Sequence, residues 1–123
     1  MGYHPINLGF RFLLELGGFA AFVIWGHGLI DGFWGWALGV GAGVAAFAVW
    51  GVFNVPGDES RSGEAPVPVP GWARLGIELA YFGLAVWALE AAGRGSWAFG
   101  FGTLVVLHYA ISWDRIGWLL SQR

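Results

Sequence analysis

Apolar residues fill four long stretches of the chain, and polar residues collect in the gaps between them. The stretches run roughly Ile6–Trp25, Trp34–Phe53, Gly71–Leu89 and Ser96–Trp113. A helix needs about 20 residues to cross roughly 30 Å of hydrocarbon, so the pattern predicts four transmembrane helices. The connections "GHGLIDGF" and "EAAGRG" are short, as helical hairpins require. Between them lies "NVPGDESRSGEAPVPVPG", Asn54–Gly71. It is polar, and its alternating prolines favour an extended polyproline-type linker. The expected fold is an all-α membrane protein with four transmembrane helices as two tandem helical hairpins in a bundle. A single integral membrane domain would cover residues 1–123, with hairpins at about 6–53 and 71–113, a linker at 54–71 and a C-terminal tail at 114–123. The tail "DRIGWLLSQR" either ends the fourth helix or lies along the membrane surface.

Tryptophan placement sharpens these boundaries. Tyr3, Trp25, Trp34, Trp36, Trp50, Trp72, Trp87, Trp97 and Trp113 all fall near proposed helix ends, where Trp and Tyr anchor at the headgroup level. Arginine placement orients the bundle. Arg11, Arg61, Arg74, Arg115 and Arg123 lie on the side of the termini and linker, and Arg94 alone on the other. The positive-inside rule then places both termini and the linker in the cytoplasm of a multi-pass cell-membrane protein.

Composition agrees with a lipid setting. Of 123 residues, 57% are hydrophobic and 11% charged, against about 25% charged in soluble domains. So small a chain could not hide that much apolar surface from water. A net charge of −2 without a basic cluster gives no argument for nucleic acid, and no nucleic-acid partner is expected. The absence of cysteine excludes disulfides, thiolate metal sites and a cysteine nucleophile. The N-terminus does not read as a cleavable signal, because it starts without positive charge and Arg11 and Glu15 interrupt the apolar run.

Those two charges recur. "RFLLEL" (11–16) returns as "RLGIEL" (74–79), and "WALGVG" (36–41) returns as "WAFGFG" (97–102). Two matches in the same order point to a tandem repeat. Two spans per repeat make it a parallel repeat, related by an axis along the membrane normal. Counting down from Trp25 and Trp87 places Glu15 and Glu78 about 14–15 Å in, at mid-membrane, with His108 about 16 Å below Trp97. Arg11 and Arg74 stand one turn nearer the cytoplasm, where their stems can snorkel to the interface.

Glu15, Glu78, His108, Arg11 and Arg74 therefore form a candidate polar layer, open to two readings. In one, Arg and Glu four apart on a helix face pair and hold the hairpins in register. In the other, two close carboxylates and a histidine form a proton or cation site, because two carboxylates cannot both ionise cheaply in a low dielectric. No metal or cofactor site is expected. Haem ligation by His27 and His108 fails within one monomer because of their different depths, and would need a His108 pair in a dimer. Gly35, Gly39 and Gly43 form a small-residue stripe for close helix packing. No Ser-His-Asp set, P-loop or zinc-type spacing occurs, and no enzyme activity is expected. The expected partners are the lipid bilayer and either a second copy or another membrane protein.

The segments "RFLLEL", "IWG", "VWGVFNVP" and "RLGIELAYFGLAVWAL" resemble the YrdB-like family, small bacterial and archaeal membrane proteins classed as a domain of unknown function. The resemblance covers nearly the whole chain. It implies four transmembrane helices and supplies no activity, substrate or site residue. The size and first-span Glu are also similar to small multidrug resistance transporters, whose surrounding motifs do not match. The leading expectation is a structural or accessory membrane protein. The alternative is a small proton- or cation-linked transporter or channel.

Overall fold

Three of the four apolar stretches form helices long and apolar enough to cross a membrane: α1 (Pro5–Leu29), α2 (Phe33–Val52) and α3 (Gly71–Ala91). The fourth stretch forms α4 (Gly95–Ile111), apolar but only 17 residues long, about 25 Å at helical rise. Helix α4 breaks at Ser112, and the tail forms a separate helix, α5 (Trp113–Ser121). The computed structural model describes residues 4–58 and 65–122.

Local chemistry accounts for most helix ends. Pro5 opens α1, where its missing N–H is not needed, and the His4 ring accepts from the Ile6 N–H at 3.2 Å. Pro70 precedes α3 in an extended conformation, since a chain of alternating prolines cannot be helical. Helices α1 and α2 join through Gly32, whose φ of 75° suits glycine. Their seam is tight. Gly26 on α1 and Gly39 on α2 touch backbone to backbone, and a Cβ on Gly39 would also lie 2.7 Å from the Val23 Cα. Gly43 faces the Phe19 ring. The stripe Gly35–Gly39–Gly43 is buried against α1, where small residues allow close approach.

Helix α3 is central and packs against α1, α4 and α5, with a lighter contact to α2. Its Tyr81 and Phe82 sit among Trp50, Phe22, Phe101 and Tyr109 in edge and tilted ring contacts, the arrangement aromatic quadrupoles prefer. The outer surface is apolar. Phe12, Leu13, Phe99, Val106 and Leu84 all face outward, an exterior that suits helices of membrane length.

Three expectations need correction. The linker is not a plain extended tether. Phe53–Asn54 (β1) pairs in parallel with Val67–Pro68 (β2), so its two ends are zipped together beside the bundle; its centre, 59–64, lies outside the described residues. Trp50 is no interfacial anchor, because it is 1% exposed within the core. Arg11 and Arg74 do not snorkel outward; both are buried. The guanidinium groups find carboxylates inside the bundle, which a water-facing position would not improve upon.

Candidate functional site

Glu78 is the hub of the interior. Its position on α3 faces α1, α4 and α5 together, and it is fully buried. One carboxylate oxygen, Oε2, accepts from Arg11 Nη2 at 2.9 Å, Arg74 Nε at 2.8 Å and Arg115 Nη2 at 2.7 Å. The other, Oε1, accepts from the Tyr109 hydroxyl at 2.8 Å and Arg115 Nη1 at 2.9 Å. That makes five donors, against about four lone-pair sites on an ionised carboxylate. With all five donors in place, no lone-pair site is left open for a further partner.

Each arginine has further work. Arg74, one turn before Glu78 on α3, donates Nη1 to the carbonyls of Trp50 and, at 2.9 Å, Phe53 at the end of α2. Arg11 stands between the two glutamates, with Nε 3.5 Å from Glu15 Oε1 and Nη2 on Glu78. Both guanidinium groups lie over the Trp50 ring, at 5.1 Å for Arg11 and 4.6 Å for Arg74, a cation–π geometry that favours a desolvated cation. This gives Trp50 its place in the core. Glu15 meets α3 through its backbone, as its carbonyl accepts from the Tyr81 hydroxyl at 2.7 Å.

Two members escaped the sequence reading. Arg115 comes from the tail and Asp58 from the linker, and both are buried. Arg115 Nη2 lies 2.6 Å from Asp58 Oδ2. Asp58 is delivered by the turn "VPGD", in which Gly57 has a φ of 82° and the Asp58 N–H donates to the Val55 carbonyl at 3.2 Å. Pro then Gly at the central positions is the signature of a type II turn, a signal available in the sequence. For Arg115, burial alone would lower its pKa. Its bonds to Glu78 and Asp58 outweigh burial and raise it above the ordinary arginine value, so it remains a cation. Among the described residues, three buried arginines thus gather around three buried acidic residues, Glu15, Glu78 and Asp58.

His108 does not meet the glutamates directly. Its Nδ1 lies 3.1 Å from Asn7 Oδ1, and Asn7 Nδ2 donates to Ser112 Oγ at 2.7 Å. The next residue, Tyr109, reaches Glu78 instead. This second buried polar set ties the start of α1 to the end of α4. His27, at the other end of α1, stacks on Trp36 at 4.2 Å. Among the described residues no three His, Asp or Glu side chains form a metal-sized cluster.

Fold and site together define a small helical protein with membrane-length apolar helices, closed around a buried ion cluster. The chain belongs to the family described as protein of unknown function DUF2568, whose model matches residues 9–106. It is 39% identical over 116 residues to the uncharacterized protein YrdB of Bacillus subtilis (strain 168), with 94% of each chain covered. No solved structure matches it. The matched family region takes in Arg11, Glu15, Asp58, Arg74 and Glu78, and ends before His108, Tyr109 and Arg115.

Proposed function

We propose that this chain is a four-span integral membrane protein of the cell membrane, with both termini cytoplasmic, serving a structural or accessory role and no enzymatic one. Its partners are the bilayer and a second copy or another membrane protein. Three helices of membrane length support the location, and the arginine asymmetry supports the orientation. Helix α4 serves as the fourth span despite its length; modest local thinning of the bilayer accommodates a short helix. The recurrence of Arg and Glu four apart in α1 and α3, both in the cluster, supports a duplicated hairpin.

One observation carries the structural reading: the five donors that saturate Glu78. A transport site must bind its ion and release it, and so keeps some coordination open. Glu78 has none to offer. A carboxylate held by three guanidinium groups from α1, α3 and α5 instead ties separate elements into one register. The test is flux in proteoliposomes carrying an imposed pH gradient. Wild-type protein should leave proton and sodium leak at the level of empty vesicles, as should Glu78→Gln. A leak that appears with the wild type and disappears in Glu78→Gln overturns the reading in favour of the transporter.

A further inference from the structure

Arg115 presents two edges of its guanidinium to two carboxylates. One edge of its guanidinium meets Glu78, through Nη1 on Oε1 at 2.9 Å and Nη2 on Oε2 at 2.7 Å. The adjacent edge meets Asp58, through Nε on Oδ1 at 3.3 Å and Nη2 on Oδ2 at 2.6 Å. A planar fork between two carboxylates is a geometry that guanidinium fits and ammonium does not. The three groups come from three parts of the chain: α5, α3 and the turn at Asp58.

The rest of α5 is seated in the same region. Leu119 is fully buried, and its carbonyl lies where a side chain on Gly71 would be. The Gly71 N–H donates to the Gln122 carbonyl at 2.8 Å. Yet α5 is joined to α4 only through Ser112, a non-helical residue. A nine-residue helix is not stable alone in water, so the seat holds it. Glu78, by contrast, does not depend on α5: without Arg115 it would still keep Arg11, Arg74 and Tyr109.

We propose that Glu78 and Asp58 form a guanidinium-recognition seat, and that α5 is a releasable strap whose Arg115 is the seat's tethered ligand. The strap hinges at Ser112. Closed, it ties Asp58 of the linker turn to Glu78 of α3; open, it leaves a recessed pair of carboxylates at the end of the bundle where the linker begins. The inference rests on the ionised, structural cluster proposed above.

The absence of native cysteine gives a clean reporter. Leu119→Cys in the full chain, in lipid nanodiscs, is buried when the strap is closed and meets a water-soluble maleimide when it opens. Arg115→Ala and Arg115→Lys should each speed labelling about tenfold or more, the scale of a lost charge-assisted pair, while the circular-dichroism melt retains one cooperative helical transition. Propylguanidinium should then slow labelling of Arg115→Ala saturably, and propylammonium should not. Adding Glu78→Gln should abolish the rescue. Parental labelling rates in both Arg115 variants, rescue by both cations alike, or loss of the helical transition in both variants would each overturn the strap. The flux assay reads none of these quantities, so the two proposals fail separately.

Discussion

At the residue scale, the pairing of Arg11 with Glu15 and Arg74 with Glu78 follows from spacing alone, because residues four apart share a helix face. Which glutamate becomes the hub does not follow. That depends on the depth of Arg115 and Asp58, and both lie in segments whose polarity reads as tail and linker. The "VPGD" turn was the one local signal of an inward-facing carboxylate. Nor could spacing show that the arginines turn inward, since the deciding partners, Trp50 and the end of α2, are distant in sequence. The hub's weight is measurable. Glu78→Gln leaves three guanidinium groups without their shared anion and should cost about 3–5 kcal/mol, the range for breaking a buried ion pair. Glu15→Gln, whose carboxylate meets Arg11 at the longer distance of 3.5 Å, should cost clearly less. Chemical unfolding in mixed micelles, followed by tryptophan fluorescence, compares the two. Equal losses would contradict the hub.

At the scale of elements, hydrophobic runs and short polar gaps locate α1 to α4 within a few residues. The fourth apolar stretch ends within two residues of the break at Ser112, but it does not decide whether the tail continues α4, because neither glycine nor proline marks the break and the sequence on both sides is helix-compatible. The zipped linker was hidden for another reason: a two-residue parallel pair is made by tertiary placement of its ends and leaves no periodic signature. The glycine stripe of α2 was readable as a small-xxx-small pattern, while its partner Gly26 on α1 was not, as it stands apart from any repeat. The seam makes a sharp contrast. Gly39→Ala forces a methyl group against the Val23 backbone and should destabilise by about 1–3 kcal/mol through overpacking. Gly41→Ala, two positions away with nothing within 4 Å of a Cβ, should be neutral or stabilising by up to about 1 kcal/mol through helix propensity. Thermal melts of the two variants in one detergent check this, and matching destabilisation would remove the close-contact role of Gly39.

At the scale of the whole molecule, composition and apolar length made a membrane protein the expected class before any coordinates. Family membership covers most of the chain and adds no activity. The arrangement of the two hairpins is less symmetric than a simple duplication implies. α1 and α2 meet on glycine backbone, whereas Gly83 and Gly100 of α3 and α4 face open space. Orientation gives a direct expectation for cells. Ser121→Cys, at the exposed end of α5, should be shielded from an impermeant thiol reagent, and Asp31→Cys, at the α1–α2 turn, should be labelled. Labelling of Ser121→Cys from outside would reverse the topology.

The central claim is that Glu78 is an ionised, multiply paired and structural hub. Infrared difference spectroscopy of the protein in lipid, titrated across the neutral range, tests it most directly. With five donors on Glu78, the account predicts that no protonated-carboxyl band lost in Glu78→Gln appears anywhere in that range. A protonated-carboxyl band that titrates near neutrality and vanishes in Glu78→Gln would contradict it, and would make the cluster a proton site.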